Sequence, residues 1–167
     1  MTRGMPPIRI GHGADVHAFA VGRRLVLGGV EVPAGRGLGG HSDADVLTHA
    51  ICNAALGAAG LGDLGRHFPD TDPQWKDVSS LDLLSRVCVL LLDTGWRVAQ
   101  VDATVMAQTP KLAAHLPAMA ARLATTLGLE AGWVNVKAVT TERLGFVGRE
   151  EGMESHAVVL LVAAGEP

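Results

Sequence analysis

Asp15 and His17 stand two residues apart, and His41 and His49 stand eight apart with Asp45 midway between them. In an extended segment, side chains two apart leave the same face. Helical winding would keep His41, Asp45 and His49 within a quadrant of one helix face. One carboxylate and two imidazoles, from Asp15, His17 and His49, are enough to hold a divalent metal with a coordination position left open. That is the pattern of a catalytic rather than a structural ion. The bland alternative is two partly buried histidines satisfied by backbone groups. Two more acids and two more histidines in the same stretch count against it.

Two further polar clusters fall at the ends of elements: the segment from Asp63 to Asp72, and the turn Thr140-Thr141-Glu142. Glu142 is a lone hard carboxylate that would suit Mg²⁺ completed by phosphate oxygens, or it is simply an exposed loop acid. Lys111, just after a strand, could meet a phosphate, although most lysines are only solvated. No phosphate-loop lysine motif, dinucleotide-binding glycine fingerprint or serine elbow is present.

The surrounding elements follow from periodicity and punctuation. Ile8-Arg9-Ile10 reads as a strand leading into Gly11-His12-Gly13, where a tight bend is expected. Leu25–Leu27 and Val30–Val32 flank Gly28-Gly29, a good hairpin signal. A glycine-rich loop over 34–40 then delivers His41. Ser42 with Asp45 resembles a capping box opening an Ala-rich, central helix to about Gly60, with His49 on an inner face. Residues 61–77 keep no period and form a long loop of the functional kind, pinned by Phe68 and Trp75. A helix over 79–94 carries Leu81, Leu84, Cys88, Leu91 and Leu92 as its apolar stripe. There follow a strand over 97–108, a helix over 116–127, a strand over 134–139 and a last strand over 155–163.

This order implies an α+β (α/β sandwich-like) domain over 1–167, with a mixed sheet, helices packed on one face and a small N-terminal hairpin. The late strands are apolar over consecutive residues, so the other sheet face needs cover that a partner subunit could give.

Composition narrows the function. The 167 residues are 48% hydrophobic and 19% charged, with a net charge of -3, which gives no basic face for a nucleic-acid backbone. Aromatic residues make up 4% with no Tyr, so stacking on bases is not expected. No apolar run approaches the roughly 18 residues that span a bilayer, and the N-terminal ten residues lack the apolar core of a signal peptide. Cys52 and Cys88 fit helical apolar patterns as buried thiols rather than a disulfide. These features imply a cytoplasmic protein with no membrane or nucleic-acid partner.

Five separated stretches carry a resemblance: Asp15–His17, the HSDADVLTH of 41–49, the GDLG of 62–65, the FPDTD of 68–72 and the TTERLGFVGR of 140–149. In order and spacing they resemble the 2-C-methyl-D-erythritol 2,4-cyclodiphosphate synthases, from Ile8 to about Val162. The resemblance implies a lyase of the non-mevalonate isoprenoid pathway. It would cyclise 4-diphosphocytidyl-2-C-methyl-D-erythritol 2-phosphate and release CMP, as a homotrimer with active sites between adjacent subunits.

Carried to this sequence, it makes Asp15, His17 and His49 the Zn²⁺ ligands and Glu142 the holder of a second ion, Mg²⁺ or Mn²⁺. His41 and Thr140 would steady the transferred phosphoryl group, with Ser42 and Thr141 touching substrate. Asp63, Leu64 and Gly65 would meet the erythritol end, and Phe68, Pro69, Asp70, Thr71 and Asp72 would close over it. Ala107, Lys111, Leu112 and Ala113 would form the cytidine pocket of the neighbouring subunit. Phe146 and Arg149 would line the trimer axis, where an isoprenoid diphosphate is held in some members. Ala14, Ala44 and Val139 depart from the family's frequent aromatic, Gly and Thr, and none is a metal ligand. The length leaves no room for the cytidylyltransferase that some bacteria fuse to this domain.

Three other readings use the same ligands. A metal-dependent phosphohydrolase would activate water instead. Two histidines and a carboxylate also make the triad of Fe(II) oxygenases. A non-enzymatic trimer with a structural metal is the last, and it would melt on loss of His49.

Overall fold

The computed structural model describes residues 8–165, and the reading of the first residues as no signal peptide lies largely outside them. Strand β1 (Ile8–Ala20) is followed by the hairpin β2 (Leu25–Leu27) and β3 (Val30–Val32), then the short β4 (Gly37–Leu38). Helix α1 is Val46–Ala59, α2 is Leu64–His67, and a 3-10 turn spans Pro73–Trp75 before α3 (Ser80–Asp93). The chain continues through β5 (Trp96–Met106), α4 (Leu116–Leu127), β6 (Val134–Val139), α5 (Gly145–Gly148) and β7 (Gly152–Ala163). The five-stranded sheet runs β4-β1-β7-β5-β6, with only β5 and β6 parallel. The fold is the mixed-sheet α+β architecture that the sequence implies.

The first correction concerns Gly11 and Gly13. The chain does not bend there; β1 runs straight through to Ala20 and pairs with β7 from Ile8↔Val162 to Ala18↔Gly152. These glycines serve close packing instead. A Cβ on Gly13 would stand 2.2 Å from the Ala50 carbonyl oxygen and 2.3 Å from the Ala54 nitrogen. Helix α1 therefore lies directly on β1, closer than any side chain would permit.

That contact also explains why α1 is buried almost all round. Leu47, Ile51 and Leu56 are inaccessible to solvent, and each contributes about 1.5–3 kcal/mol through burial. The second correction is its start. The cap is Asp45 rather than Ser42: its carboxylate accepts from Thr48 N at 3.0 Å, and the helix begins at Val46. His41 is therefore off the helix and shares no face with His49. Asp45 is wholly buried, accepting also from Gly28 N and Gly29 N at 2.9 and 2.8 Å, so it ties the hairpin turn to α1. Gly28 and Gly29 hold the positive φ values, 55° and 71°, that such a two-residue turn needs.

On α3 the buried stripe is Leu83, Leu84, Val87 and Leu91, while Leu92 is exposed and Cys88 only half-buried. The two cysteines are unpaired.

Along the sheet, alternate residues separate two environments. Asp15 and His17 face α1 together with Met153, Ser155 and Ala157 of β7. The opposite face carries Ile8, Ile10, Val16, Val139 and Val158, all exposed, with Ile10 at 69%. No helix of the described residues is long and apolar enough to cross a membrane.

Candidate metal centre and substrate cavity

Asp15 and His17 project from the mid-portion of β1, and His49 comes down from the first turn of α1, which the glycine contact presses onto that strand. Their ligand atoms converge. His17 Nε2 is 2.9 Å from Asp15 Oδ2, His49 Nδ1 is 3.0 Å from the same oxygen, and the two nitrogens are 3.3 Å apart. Among the described residues this is the one group of three with metal-ligating atoms so close together. Bonds of 2.0–2.1 Å would set the ligand atoms of a tetrahedral ion about 3.3 Å apart, so the spacing fits an ion with little adjustment.

The remaining ring nitrogens meet outer partners, which turns Nε2 of His17 and Nδ1 of His49 inward toward Asp15. His17 Nδ1–H donates to the Gly39 carbonyl at 2.7 Å, leaving Nε2 as the nitrogen turned to the metal position. His49 Nε2 meets Ser80 Oγ at 2.9 Å and Ser42 Oγ at 3.2 Å, leaving Nδ1 for the metal. Electrostatics follow the same geometry. Burial alone would raise the Asp15 pKa, but hydrogen bonds from His17 and His49 outweigh it and bring it down to about 2. For His17, burial disfavours the charged ring, but the hydrogen bond and charge of Asp15 prevail and its pKa rises above 6.5.

The triad lies in a cavity of about 520 Å³. His41 and Ser42 line it, as do Asp63, Leu64, Gly65, Phe68, Pro69 and Asp70. Residues 61–77 are not the periodless loop expected; they hold α2 and the 3-10 turn. Asp63 caps α2 by accepting from Arg66 N at 2.9 Å, and Asp72 caps the turn through Gln74 N at 3.0 Å. Phe68 and Trp75 meet edge to face, centroids 5.0 Å apart, and so pin the segment as expected. His41 Nε2 reaches the Asp72 carbonyl at 3.3 Å and joins this segment to the histidine loop. Thr71 and Asp72 do not line the cavity itself.

Sequence reasoning missed Gly40, Asn53, Trp75, Val78 and Leu83 as lining residues. Asn53 was within reach of it, because it falls one turn after His49 on the same helix face. Its Oδ1 accepts from Leu64 N at 2.8 Å and anchors α2.

Ala107, Lys111, Leu112, Ala113 and Thr140 form a second, separate pocket of about 180 Å³ at the β6 side of the sheet. The register places Asp15 beside Ser155, Ser155 beside Val105 and Val105 beside Ala138. Three strand spacings, about 14 Å, therefore divide the two pockets within one chain. Glu142 does not line that pocket, but its carboxylate accepts from Thr140 Oγ1, which does, at 2.9 Å. Thr141 donates to the Leu144 carbonyl, Phe146 lies on α5, and Arg149 pairs with Glu151. None of these four lines the triad's cavity.

A mixed sheet with helices on one face and an Asp-His-His centre under a capped loop defines a metal-dependent α+β enzyme. The model of the YgbB family matches residues 8–162. A 2-C-methyl-D-erythritol 2,4-cyclodiphosphate synthase of Thioalkalivibrio sulfidiphilus is 60% identical over 157 residues, 94% of this chain and 98% of that one. Among solved structures, the bifunctional IspDF of Campylobacter jejuni superposes with a TM-score of 0.90 at 46% identity. The match covers 93% of this chain and 42% of that one. The IspF of Plasmodium falciparum, described as a CDP complex, gives 0.82 at 31% identity, covering 96% of this chain and 99% of that one. The chain belongs to the YgbB family, the 2-C-methyl-D-erythritol 2,4-cyclodiphosphate synthases of non-mevalonate isoprenoid biosynthesis.

Proposed function

We propose that the chain works as a single-domain homotrimer in which Asp15, His17 and His49 hold Zn²⁺ and Glu142 holds Mg²⁺ or Mn²⁺. Its substrate is 4-diphosphocytidyl-2-C-methyl-D-erythritol 2-phosphate, whose 2-phosphate displaces CMP from the β-phosphorus to close the cyclic diphosphate. The observation that carries this reading is the convergence of three ligand atoms on one wall of a cavity large enough for a phosphorylated polyol. Held by these residues, the cations would supply charge neutralisation and polarise phosphoryl oxygens.

The chain's own residues do the rest. His41 and Ser42 present ring and hydroxyl beside the triad, positioned to hold a phosphoryl group. Asp63, Leu64 and Gly65 offer the capped start of α2 to the polyol hydroxyls, and Phe68, Pro69 and Asp70 roof the cavity. Holding one flexible molecule in an in-line pose is worth roughly 7–11 kcal/mol of barrier. No nucleophilic side chain is required, since the attacking phosphate is already an anion. Cys52, the buried thiol nearest in sequence, is a poor nucleophile, because burial first, then Cys88, pushes its pKa well up.

The trimer reading rests on two features. The apolar row Ile8, Ile10, Val16, Val139 and Val158 lies uncovered on the sheet. The pocket of Lys111, Leu112 and Thr140 lies three strands from the triad, so a neighbour's copy can serve the triad where the chain's own cannot. In that arrangement Ala107, Lys111, Leu112 and Ala113 take the cytidine. Thr140, Thr141 and Glu142 face the diphosphate, and Phe146 and Arg149 approach the axis where an isoprenoid diphosphate would sit.

Incubation of the zinc- and magnesium-replete protein with the cytidylyl substrate, followed by phosphorus NMR, tests the reaction. A cyclic diphosphate plus CMP is expected; an open bisphosphate would instead show water as the nucleophile. His49→Ala should give a folded, inactive protein, whereas a structural metal predicts a melted one.

A further inference from the structure

We infer that Ser80, backed by Asp43, is a positioning residue for the metal centre: it fixes the His49 tautomer that leaves Nδ1 free to bind. The inference rests on the metal reading of Asp15, His17 and His49. Ser80 is the first residue of α3, wholly buried, and far in sequence from every ligand. Its hydroxyl oxygen lies 2.9 Å from His49 Nε2 and within hydrogen-bond reach of Asp43 Oδ1.

Proton counting decides the direction. A carboxylate only accepts, and a serine hydroxyl has one proton to give. With that proton on Asp43 Oδ1, Ser80 Oγ can only accept from the ring, so Nε2 carries the hydrogen. Asp43 is itself fixed, taking Ser80 N at 2.9 Å and Asp45 N at 3.2 Å. Ser79, the residue before α3, makes no side-chain cap of its own. Asp43 therefore caps α3 from the histidine loop while orienting the hydroxyl. Ser42 Oγ stands farther from Nε2, at 3.2 Å, and its oxygen is shared with Ala44 N, which donates to it at 3.2 Å. The chain thus builds a carboxylate–hydroxyl–imidazole series behind one ligand, and a backbone carbonyl (Gly39) behind the other histidine. Such outer partners set ligand basicity and ring orientation, and their loss typically costs about 10–100-fold in metal affinity.

The test uses the full-length protein. Zinc affinity is measured by chelator competition for wild type, Ser80→Ala, Ser80→Thr and Ser42→Ala, and the visible spectrum of the Co²⁺-loaded forms reports ligand geometry. Ser80→Ala keeps the backbone bond to Asp43, so α3 stays capped. Its affinity should fall about 10–100-fold with an altered cobalt spectrum, Ser80→Thr should recover most of the loss, and Ser42→Ala should lose less. Nitrogen-15 NMR of zinc-loaded wild type should show His49 protonated at Nε2 with slow exchange, a reading that no variant's folding can disturb. The inference is overturned if His49 is protonated at Nδ1, if Ser80→Ala binds zinc as wild type does, or if Ser42→Ala is the costlier change. Failure of wild type itself to bind one zinc per chain would sink the metal reading first, and this inference with it.

Discussion

Gly13→Ala tests the claim that the helix–strand contact creates the metal centre. The added methyl would lie 2.2 Å from the Ala50 carbonyl oxygen, against 3.4 Å for ordinary contact, so α1 and β1 must separate by at least about 1.2 Å. The obstacles are main-chain atoms of α1, which cannot rotate away. Nor can the helix retreat easily, because its far side is packed against α3 and the buried core. Overpacking of this kind costs about 1–3 kcal/mol, and rigid obstacles favour the upper end.

The displacement falls where it matters for chemistry. Gly13 is two residues from Asp15, and Ala50 adjoins His49, so the change pries the carboxylate from one imidazole. Metal sites tolerate errors of about 0.2 Å in ligand position, and a misplacement of about 1 Å can cost 100-fold in turnover. Urea unfolding of the metal-free protein and zinc titration give the two readouts. A lower midpoint together with at least tenfold weaker zinc binding is expected. Gly11→Ala is the control: its methyl would meet Ala54 O at 2.0 Å and the Ala58 methyl at 2.8 Å, farther along α1 from His49. It should destabilise comparably and weaken zinc binding less. Wild-type stability and zinc affinity in Gly13→Ala would refute the reasoning.

Asp45→Ala removes the cap of α1 and strands the buried Gly28 amide and the half-buried Gly29 amide. A loss of about 2–4 kcal/mol is expected from denaturant midpoints. Zinc affinity should follow pH with a definite sign. A proton on His17 competes with the ion, and its pKa is raised above 6.5, so affinity should climb as pH rises through that raised value and then level off. Asp15, held at about 2, stays ionised throughout; calorimetry in buffers of different ionisation enthalpy should count the His17 proton released. In the metal-free chain the same pair contributes stability of opposite pH dependence. The His17 share is full below 6.5 and fades as pH rises through its folded value, and the Asp15 share is full above 3.8 and fades toward about 2. Ile10→Asp places a charge in the exposed apolar row of the sheet. It should yield monomers by sedimentation and lose activity while the metal-free chain keeps its helical content; an intact trimer would count against the interface.

What the sequence made legible, and what it did not, divides along one physical line. Periodicity and punctuation report local structure, so Leu116–Leu127, Val134–Val139 and the Gly28-Gly29 hairpin stand where the pattern puts them. The Asp15–His17 pair was readable for the same reason, because alternation in a strand is a local rule. Gly11 and Gly13 suggest a bend in the sequence alone since a glycine has two uses, and only the neighbouring helix shows which one applies here. Capping was ambiguous in the same way: Ser42 and Asp45 both suit a helix start, and Asp45 wins because it also serves the amides of the hairpin, seventeen and sixteen residues away. Ser80 carried no signal at all. A serine opening a helix is ordinary, and its contact with His49 exists only because α3 packs across the start of α1. The ligands of the centre can thus be found by spacing, whereas the groups that set their orientation belong to the packing. A design that copied Asp15, His17 and His49 onto another strand and helix would therefore need Gly13, Asp43 and Ser80 as well before it held an ion in the same way.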